Sequence, residues 1–182
     1  IREALSGATI EVLTPDFQGR EPDVRRVLAA GPDVFNHNLE TVRRLQKTIR
    51  PAADYERSLR VLRWAADRGS RTGERGAVSG RRRVKSGLMV GLGEMVEELH
   101  EALQDLLAAG CEYLTIGQYL APSRGNAPVA RFATPAEFEE YGRQALEMGF
   151  KGVASGPLVR ASYHAEQMLE AVPDKAGRKK RK

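Results

Sequence analysis

The sequence contains a single cysteine, Cys111. One thiol excludes an internal disulfide, and it also excludes a zinc or iron–sulfur site built from several thiolates of this chain. The sequence has no apolar run near the roughly 18 residues that span a bilayer, and no segment with the pattern of a signal peptide. We therefore expect a soluble, cytoplasmic protein with no membrane partner. Because the first residue is Ile1 rather than methionine, we also expect amino-terminal sequence to precede it.

The positive charge of the sequence is concentrated in two segments. The net charge is +5 and the isoelectric point is about 9.6, values that are compatible with a nucleic-acid partner. Residues 68–85 carry +6 and residues 174–182 carry +5, which leaves −6 on the rest of the chain. This distribution predicts a flexible, Arg-rich loop at about residues 69–84 and a basic tail, and it favours no specific nucleic-acid interface on the folded body.

The alternation of predicted elements indicates the fold class. With 182 residues, of which 41% are hydrophobic, the chain is long enough for one domain with a core. Five predicted strands alternate with helices, an order typical of parallel β/α units with right-handed crossovers. The sequence thus predicts an α/β fold, either a piece of a barrel or an open doubly wound sheet. The predicted strands are residues 8–13, 34–35, 85–90, 112–120 and 150–155, and the predicted helices are residues 22–30, 39–49, 55–68, 94–109, 135–148 and 161–171.

Two helix starts and two isolated side chains have simple structural interpretations. Asp54 is a predicted N-cap, and residues 134–137 (TPAE) form a predicted capping box with proline at the first helical position. Cys111 follows a helix-ending glycine, which favours a buried structural thiol. His100 is predicted to lie on the exposed side of its helix.

A strand that breaks into glycines at the start of a helix is the most informative stretch. Residues 85–94 read KSGLMVGLGE. Glycines let a backbone approach a ligand closely, and the N–H groups at a helix start can face polar ligand groups. Glu94 adds a carboxylate that can accept from hydroxyl or amine donors. The simpler interpretation is that Gly91 and Gly93 only form a tight turn.

Unusual polar residues follow four of the predicted strands. In parallel β/α architectures, ligands bind beyond the carboxyl ends of the strands. Four polar clusters at one edge of a sheet favour an enzyme active site over a binding or structural module. The clusters are residues 36–38, residues 91–94, Gln118 with Tyr119, and residues 155–160.

Seven motifs resemble one known enzyme family in order and in spacing. They cover nearly all of residues 8–165 except the Arg-rich loop, and they resemble the carboxyl-terminal two-thirds of bacterial lipoyl synthases, which are radical S-adenosylmethionine (radical SAM) enzymes. The resemblance implies part of a parallel (β/α) partial TIM barrel of the radical SAM type over residues 1–165, with a terminal helix end and the basic tail in residues 166–182. The motifs are VLTPDFQG, PDVFNHNLETV, RPAADYERSLRVL, KSGLMVGLGE, LTIGQYLAPS, TPAEFEEYG and GFKGVASGPLVRASYHA.

The resemblance also implies a reaction, its cofactors and its partners. The family uses S-adenosylmethionine and two [4Fe–4S] clusters to insert two sulfur atoms into an octanoyl chain. The implied partners are octanoylated lipoyl carrier domains or the glycine cleavage H protein, and an electron donor such as ferredoxin or flavodoxin. Both cysteine triads that hold the family's clusters are absent here. We therefore assign no catalytic residue and expect this chain alone to bind no cluster and to be inactive.

Individual site residues follow from the resemblance. Gly87, Gly91 and Glu94 correspond to positions that face the S-adenosylmethionine nucleoside. Ser162 remains at a position of paired serines that supplies an oxygen ligand to the auxiliary [4Fe–4S] cluster, with Arg160 as a nearby charge. The alternative is that Ser162 caps the terminal helix. The other implied residues are Asn36 and Asn38 at the cofactor, and His37, Gln118 and Tyr119 at the substrate or the cavity.

The sequence departs from the family at several positions, and two other functions stay open. Met95 stands where threonine is usual, Asn126 replaces a histidine, and Ala161 replaces the first of the paired serines. A non-catalytic or diverged β/α module could instead bind acidic partners through the basic loop and tail. A barrel enzyme could also bind an ordinary phosphate at residues 91–94. Cysteine triads upstream of Ile1 would favour a lipoyl synthase over both.

Overall fold

The sheet contains five parallel strands in the order in which they occur in the chain. The computed structural model describes residues 1, 4, 5, 7–67 and 83–162. An open doubly wound sheet reverses its strand order at a switch point, whereas this sheet does not. The arrangement is that of a segment of a parallel (β/α) barrel. The strands are β1 (Glu11–Leu13), β2 (Val34–Asn36), β3 (Arg83–Val90), β4 (Tyr113–Gln118) and β5 (Gly152–Gly156).

Helices occupy the crossovers between the parallel strands, as β/α units require. Every crossover contains one helix except that from β2 to β3, in which the described residues contain two. Two short 3-10 turns, Phe17–Gly19 and Arg43–Leu45, precede the first and second helices. The helices are α1 (Glu21–Ala29), α2 (Gln46–Ile49), α3 (Tyr55–Ala66), α4 (Val96–Ala108) and α5 (Pro135–Met148).

The core lies between one face of the sheet and the helices. Side chains alternate between the two faces along a strand, and Val84, Leu88 and Val90 of β3 are at most 3% exposed on the helix side. Leucines of α3 and α4 belong to the same buried cluster. Full burial of one leucine side chain contributes roughly 2 kcal/mol, so this layer is the main source of stability. The opposite face, called the inner face below, carries Glu11, Asn36, Lys85, Gly87, Tyr113, Thr115 and Gly117.

Local signals in the sequence identified several element boundaries correctly. The Asp54 carboxylate accepts a hydrogen bond from the Arg57 N–H at 2.7 Å, as an N-cap does. At the start of α5, the Glu137 N–H donates to Thr134 Oγ1 at 3.2 Å, and the Thr134 N–H donates to the Glu137 carboxylate at 2.7 Å. Both groups of the predicted capping box are therefore satisfied. Cys111 is 3% exposed, as predicted, and burial raises the pKa of its thiol.

The prediction of a continuous helix over residues 39–49 is wrong. Only residues 43–49 are helical. The Glu40 N–H donates to the Gly87 carbonyl at 2.9 Å, and the Met89 N–H donates to the Glu40 carbonyl at 2.8 Å. The first part of the segment thus extends the pairing of β2 with β3. Its apolar residues are buried because the segment packs against the sheet, and their helical spacing is coincidental.

The predicted end of the Arg-rich loop and the predicted exposure of His100 are also wrong. Arg83 and Val84 belong to β3, so the predicted Arg-rich loop does not extend to residue 84, and residues 69–82 lie outside the described residues. His100 is half-buried between α4 and α5, where its Nε2 lies 2.6 Å from Gln144 Oε1, rather than on an exposed surface.

The carboxyl-terminal predictions fall mostly outside the described residues. Residues 161 and 162 form part of a turn. The rest of the predicted terminal helix and the basic tail, residues 163–182, lie outside the described residues, so neither is tested.

Exchanging Met95 for threonine is expected to stabilise the fold. Met95 occupies the N-cap position of α4 with an extended backbone (φ −88°, ψ 158°), and its own N–H donates to the Glu98 carboxylate at 2.8 Å. A methionine thioether is only a weak acceptor, whereas a threonine hydroxyl can accept the Glu98 N–H and complete the capping box. We expect Met95→Thr to raise the free energy of unfolding by about 1 kcal/mol, measured by urea denaturation. Met95→Ala is the control, and an equal gain in both variants would contradict the capping explanation.

Candidate functional site

A buried ion pair lies at one end of the inner face. Lys85 Nζ is 3.1 Å from both carboxylate oxygens of Glu11, and Asn36 Nδ2 donates to Glu11 Oε1 at 2.7 Å. Lys85 is 1% exposed and Asn36 is 0% exposed. Buried charges are tolerated when they are paired and hydrogen-bonded, and Asn36 adds a bond to the pair. Sequence reasoning missed Glu11 and Lys85, although a charged residue inside each of two apolar strands was an available signal.

Gly87 leaves room for Asn38 above the sheet. A Cβ atom at Gly87 would lie 2.8 Å from Asn38 Oδ1 and 2.7 Å from Thr115 Oγ1, so a larger residue would displace one of these side chains. The Oδ1 atoms of Asn36 and Asn38 are buried, and no donor in the described part of the chain reaches either of them. Buried acceptors of this kind are unusual in proteins. The inner face therefore offers two amide oxygens to N–H or O–H groups of a ligand.

Glu40 adds a carboxylate beside these asparagines. Its backbone has φ of 75°, a left-handed conformation that is uncommon for a residue other than glycine. Two backbone hydrogen bonds to β3 hold this conformation, and Asn38 Nδ2 donates to Glu40 Oε1 at 3.3 Å. Observed strain of this kind is common at functional sites. Sequence reasoning missed Glu40, since the apolar spacing around it indicated a helix.

His37 lies on a different side of the chain from its neighbours Asn36 and Asn38. Its Nδ1 is 2.9 Å from the Thr14 carbonyl oxygen, and the residue is 2% exposed. Burial lowers the pKa of His37, and the charges of Arg50 and Arg57 lower it further, against the opposing effect of the Thr14 carbonyl. His37 is therefore neutral near pH 7. The structure does not bring it together with the inner-face asparagines.

The glycine turn after β3 is organised by Glu94. Gly91 and Gly93 both have φ of 96°, which favours glycine. The Glu94 carboxylate accepts hydrogen bonds from the Gly91 N–H at 2.7 Å and from the Leu92 N–H at 2.8 Å. Two N–H groups that could have faced a ligand are thus bound within the turn. A phosphate at this position would meet a carboxylate, so the geometry does not favour the phosphate-binding alternative.

Gln118 and Tyr119 hold the loop after β4 against the glycine turn. Gln118 Nε2 donates to the carbonyls of Tyr119 and Arg131, both at 3.0 Å, and its Oε1 accepts from the Ala133 N–H at 2.9 Å. The Tyr119 hydroxyl donates to the Ala127 carbonyl at 2.9 Å. The polar atoms of both side chains are thus bonded to backbone groups. A role for either residue in lining a cavity stays a prediction.

The Gln118 amide also fills the space beside Gly91. A Cβ atom at Gly91 would overlap Gln118 Nε2 and would lie 2.5 Å from the Arg131 carbonyl oxygen. A larger residue at Gly91 would therefore disturb the protein itself, whatever it did to a bound ligand.

The chain that follows β5 folds back onto the inner face. A Cβ atom at Gly117 would overlap the carbonyl oxygen of Val159 and would lie 3.3 Å from Arg160 Nη1. Arg160 is exposed, and its Nη1 donates to the Val159 carbonyl at 2.6 Å. Ser162 is exposed in the turn that follows. The structure thus brings Arg160 to the face that carries Asn36, Asn38 and Gly87, with Ser162 two residues further along.

A comparison with protein families accounts for this arrangement of strand ends and glycines. The model of the radical SAM superfamily matches residues 1–106, more than half of the chain. The chain belongs to the radical SAM superfamily. Enzymes of this superfamily use S-adenosylmethionine together with an iron–sulfur cluster.

Curated proteins with similar sequences to this chain include several lipoyl synthases. The chain is 49% identical over 170 residues to the lipoyl synthase of Rubrobacter xylanophilus, covering 93% of this chain and 50% of that protein. It is 51% identical over 169 residues to that of Parabacteroides distasonis (93% and 56%) and 51% identical over 175 residues to that of Methylococcus capsulatus (94% and 51%). The chain spans about half the length of these relatives. Within the described residues, no helix is both long and apolar enough to cross a membrane.

The described residues fit S-adenosylmethionine better than they fit an iron–sulfur cluster. The unsatisfied amide oxygens of Asn36 and Asn38 match the hydroxyl and amino donors of the cofactor, and the missing side chain of Gly87 gives the Asn38 amide its place above the sheet. Cys111 does not fit a cluster ligand, because it is 3% exposed. It also precedes β4, so it lies at the opposite edge of the sheet from the glycine turn.

Glu94→Gln tests whether the carboxylate holds the glycine turn. A glutamine side chain keeps one oxygen acceptor but directs an N–H₂ donor at the second backbone N–H. We expect the free energy of unfolding to fall by about 1–2 kcal/mol in urea denaturation. Glu97→Gln, an exposed exchange at the start of the same helix, is the control and should change stability by less than about 0.5 kcal/mol. Equal effects of the two exchanges would contradict the assigned bonds.

His37 is expected to make stability depend on pH below neutrality. Its pKa in the folded state is lowered from the usual value near 6.5, so the unfolded chain binds more protons as the pH falls through that value. Stability is therefore full above about pH 7 and decreases as the pH falls through about 6.5. His37→Asn keeps a donor for the Thr14 carbonyl but does not titrate. Urea denaturation between pH 5 and 8 should give a flatter profile for this variant, and an unchanged slope would exclude His37 as the cause.

Proposed function

We propose that the chain is the carboxyl-terminal part of a lipoyl synthase, which inserts two sulfur atoms into the octanoyl chain of a lipoyl carrier domain. The observation that carries this proposal is the identity of about one half to lipoyl synthases over more than nine-tenths of the chain. The inner face supports it, because two unsatisfied amide oxygens lie there beside a glycine, and Glu40 follows them with a strained backbone.

The side chains of the inner face would hold S-adenosylmethionine by accepting its hydrogen-bond donors. Asn36 and Asn38 offer their free amide oxygens, and Glu40 offers a carboxylate oxygen near them. The Glu94 carboxylate retains lone pairs beyond those that accept the two turn N–H groups. When bound, S-adenosylmethionine would supply the chemistry that activates the octanoyl chain. The Glu11–Lys85 pair keeps one end of this face electrically balanced.

Partners of the reaction follow from the same proposal. The acyl substrate would arrive on an octanoylated lipoyl carrier domain or on the glycine cleavage H protein. A ferredoxin or a flavodoxin would deliver the electrons. Ser162 would ligate the auxiliary cluster through its oxygen, a role supported by its exposure in a turn two residues after Arg160, which lies near Gly117 of the inner face. A weakly held oxygen ligand suits a cluster that gives up its sulfur.

The proposal is tested with a hybrid enzyme. This chain is joined to the amino-terminal half of the Rubrobacter xylanophilus lipoyl synthase, and the clusters are reconstituted without oxygen. Mass spectrometry of an octanoylated H protein should then show a gain of two sulfur atoms. A hybrid that binds both clusters and cleaves S-adenosylmethionine but leaves the octanoyl chain unchanged would contradict the sulfur-insertion function. The intact Rubrobacter enzyme is the positive control.

Ser162→Ala is expected to separate the two half-reactions in that hybrid. Loss of an oxygen ligand to the auxiliary cluster should lower lipoyl formation at least tenfold, a typical cost of disturbing a metal site. Cleavage of S-adenosylmethionine, measured as 5′-deoxyadenosine, should remain close to the unmodified rate. Ser155→Ala is a control, since the Ser155 hydroxyl donates to the Phe138 carbonyl on the helix side of the sheet. Normal lipoyl product from Ser162→Ala would exclude the ligand role.

The 182-residue chain alone is expected to hold no stable iron–sulfur cluster. Its one cysteine is buried, and burial raises the pKa of the thiol, which disfavours the thiolate that binds iron. Iron and sulfide are measured after anaerobic reconstitution and desalting. Cys111→Ala provides the background level, and stoichiometric iron in the unmodified chain would contradict the prediction.

A further inference from the structure

One arginine connects three elements at the glycine turn. Arg44, in the 3-10 turn before α2, donates through Nη2 to the Gly93 carbonyl at 2.9 Å. Its Nε and Nη2 also donate to the two oxygens of Glu98, at 2.6 and 2.8 Å. Glu98 in turn accepts the Met95 N–H at 2.8 Å. A single guanidinium thus joins the segment that follows the inner-face asparagines to the glycine turn and to the start of α4.

Apart from the Glu94 carboxylate, which accepts from the Gly91 and Leu92 N–H groups, the other bonds that described residues make to the turn reach its beginning. The Tyr119 N–H donates to the Val90 carbonyl, and the Ala130 N–H donates to the Gly91 carbonyl, both at 2.9 Å. Gly93 lies at the far end of the turn, is exposed and has φ of 96°. The Arg44 bond fixes the carbonyl of this residue, directly before Glu94.

We propose that Arg44, together with Glu98, is a positioning residue for S-adenosylmethionine. It holds the far end of the glycine turn so that the Glu94 carboxylate and the turn backbone keep the geometry in which the cofactor binds. The inference rests on the proposed function, since it assigns a supporting role to a site that the proposal places at this turn. A guanidinium suits the role because its planar fork can bond both carboxylate oxygens and a carbonyl at once, which an ammonium group cannot do in the same geometry.

The adjacent residue, Arg43, provides a matched control. Arg43 is 46% exposed and Arg44 is 52% exposed at the side chain. Arg43 pairs with Glu56 and Asp105, and its guanidinium lies 4.2 Å from the centre of the Tyr55 ring. The structure gives Arg43 no bond to the glycine turn among the described residues. The two arginines therefore have the same charge and similar exposure but different partners, and Arg44 is the one that bonds the glycine turn.

The test measures cofactor affinity separately from stability. S-adenosylmethionine is titrated into the ¹⁵N-labelled 182-residue chain, and the amide shifts of Gly91 and Gly93 are followed by nuclear magnetic resonance. Arg44→Gln should raise the dissociation constant about tenfold, because the turn loses the bond that fixes the Gly93 carbonyl next to Glu94. Arg44→Lys should not restore it, and Glu98→Gln should weaken it in the same direction. Arg43→Gln should leave affinity unchanged, although urea denaturation should show a comparable small loss of stability for both arginine exchanges.

Each outcome of this titration supports or contradicts a specific statement. Weakened binding in the Arg44 and Glu98 variants alone supports the positioning role. Unchanged affinity in Arg44→Gln, or equal weakening in Arg43→Gln, would overturn it while leaving the cofactor site in place. Absence of any shift in the unmodified chain at millimolar S-adenosylmethionine would contradict the cofactor site at this turn, and the role of Arg44 with it.

Discussion

The pairing of residues 37–40 with strand β3 is the interaction on which the inner face depends. The His37 N–H donates to the Lys85 carbonyl at 3.1 Å, and Glu40 exchanges two backbone bonds with Gly87 and Met89. These bonds keep the chain extended beyond the end of β2, so Asn36 and Asn38 stay on the same side while His37 turns to the other. The left-handed backbone of Glu40 is the local cost of that pairing. A helix in its place would remove the asparagines from the sheet.

The inner face is polar but nearly neutral, because the charges of Glu11 and Lys85 are paired. Lys85 and Glu11 come from strands separated by β2, and they compensate one another with Asn36 between them. Of the strongly positive segment at residues 68–85, the described residues on this face are Arg83 and Lys85, and Lys85 is paired with Glu11. Recognition there consequently depends on directed hydrogen bonds more than on a field of one sign.

Local sequence signals predicted most of the fold. The strands, the Asp54 N-cap, the Thr134 capping box and the buried Cys111 follow from composition and spacing within a few residues. The helix over residues 39–49 failed because apolar spacing cannot distinguish burial against a sheet from burial along a helix. The strand order 1-2-3-4-5 required the structure, since both barrels and open sheets share the same alternation.

The candidate site was less predictable, because its contacts join distant parts of the sequence. Position at a strand end was enough to indicate Asn36 and Asn38, and the family resemblance added Gly87. The pairs Glu11–Lys85 and Arg44–Glu98 are 74 and 54 residues apart, so no local pattern indicated them. The Glu94 carboxylate accepts bonds from its own turn because of the backbone angles of Gly91 and Gly93. The presence of glycines in the sequence allows these angles but does not predict them.

The contact between Gly117 and the Val159 carbonyl limits how sequence changes can alter the width of the inner face. A main-chain oxygen, and not a side chain, occupies the space above the glycine. Exchanges at position 159 change a side chain but leave the carbonyl oxygen in place. Such exchanges therefore do not change the width of the inner face at β4. The width there can change only by moving the whole segment after β5 or by giving up the glycine. Variation in the shape of the inner face at β4 would therefore have to act on backbone placement, which exchanges of single side chains do not provide.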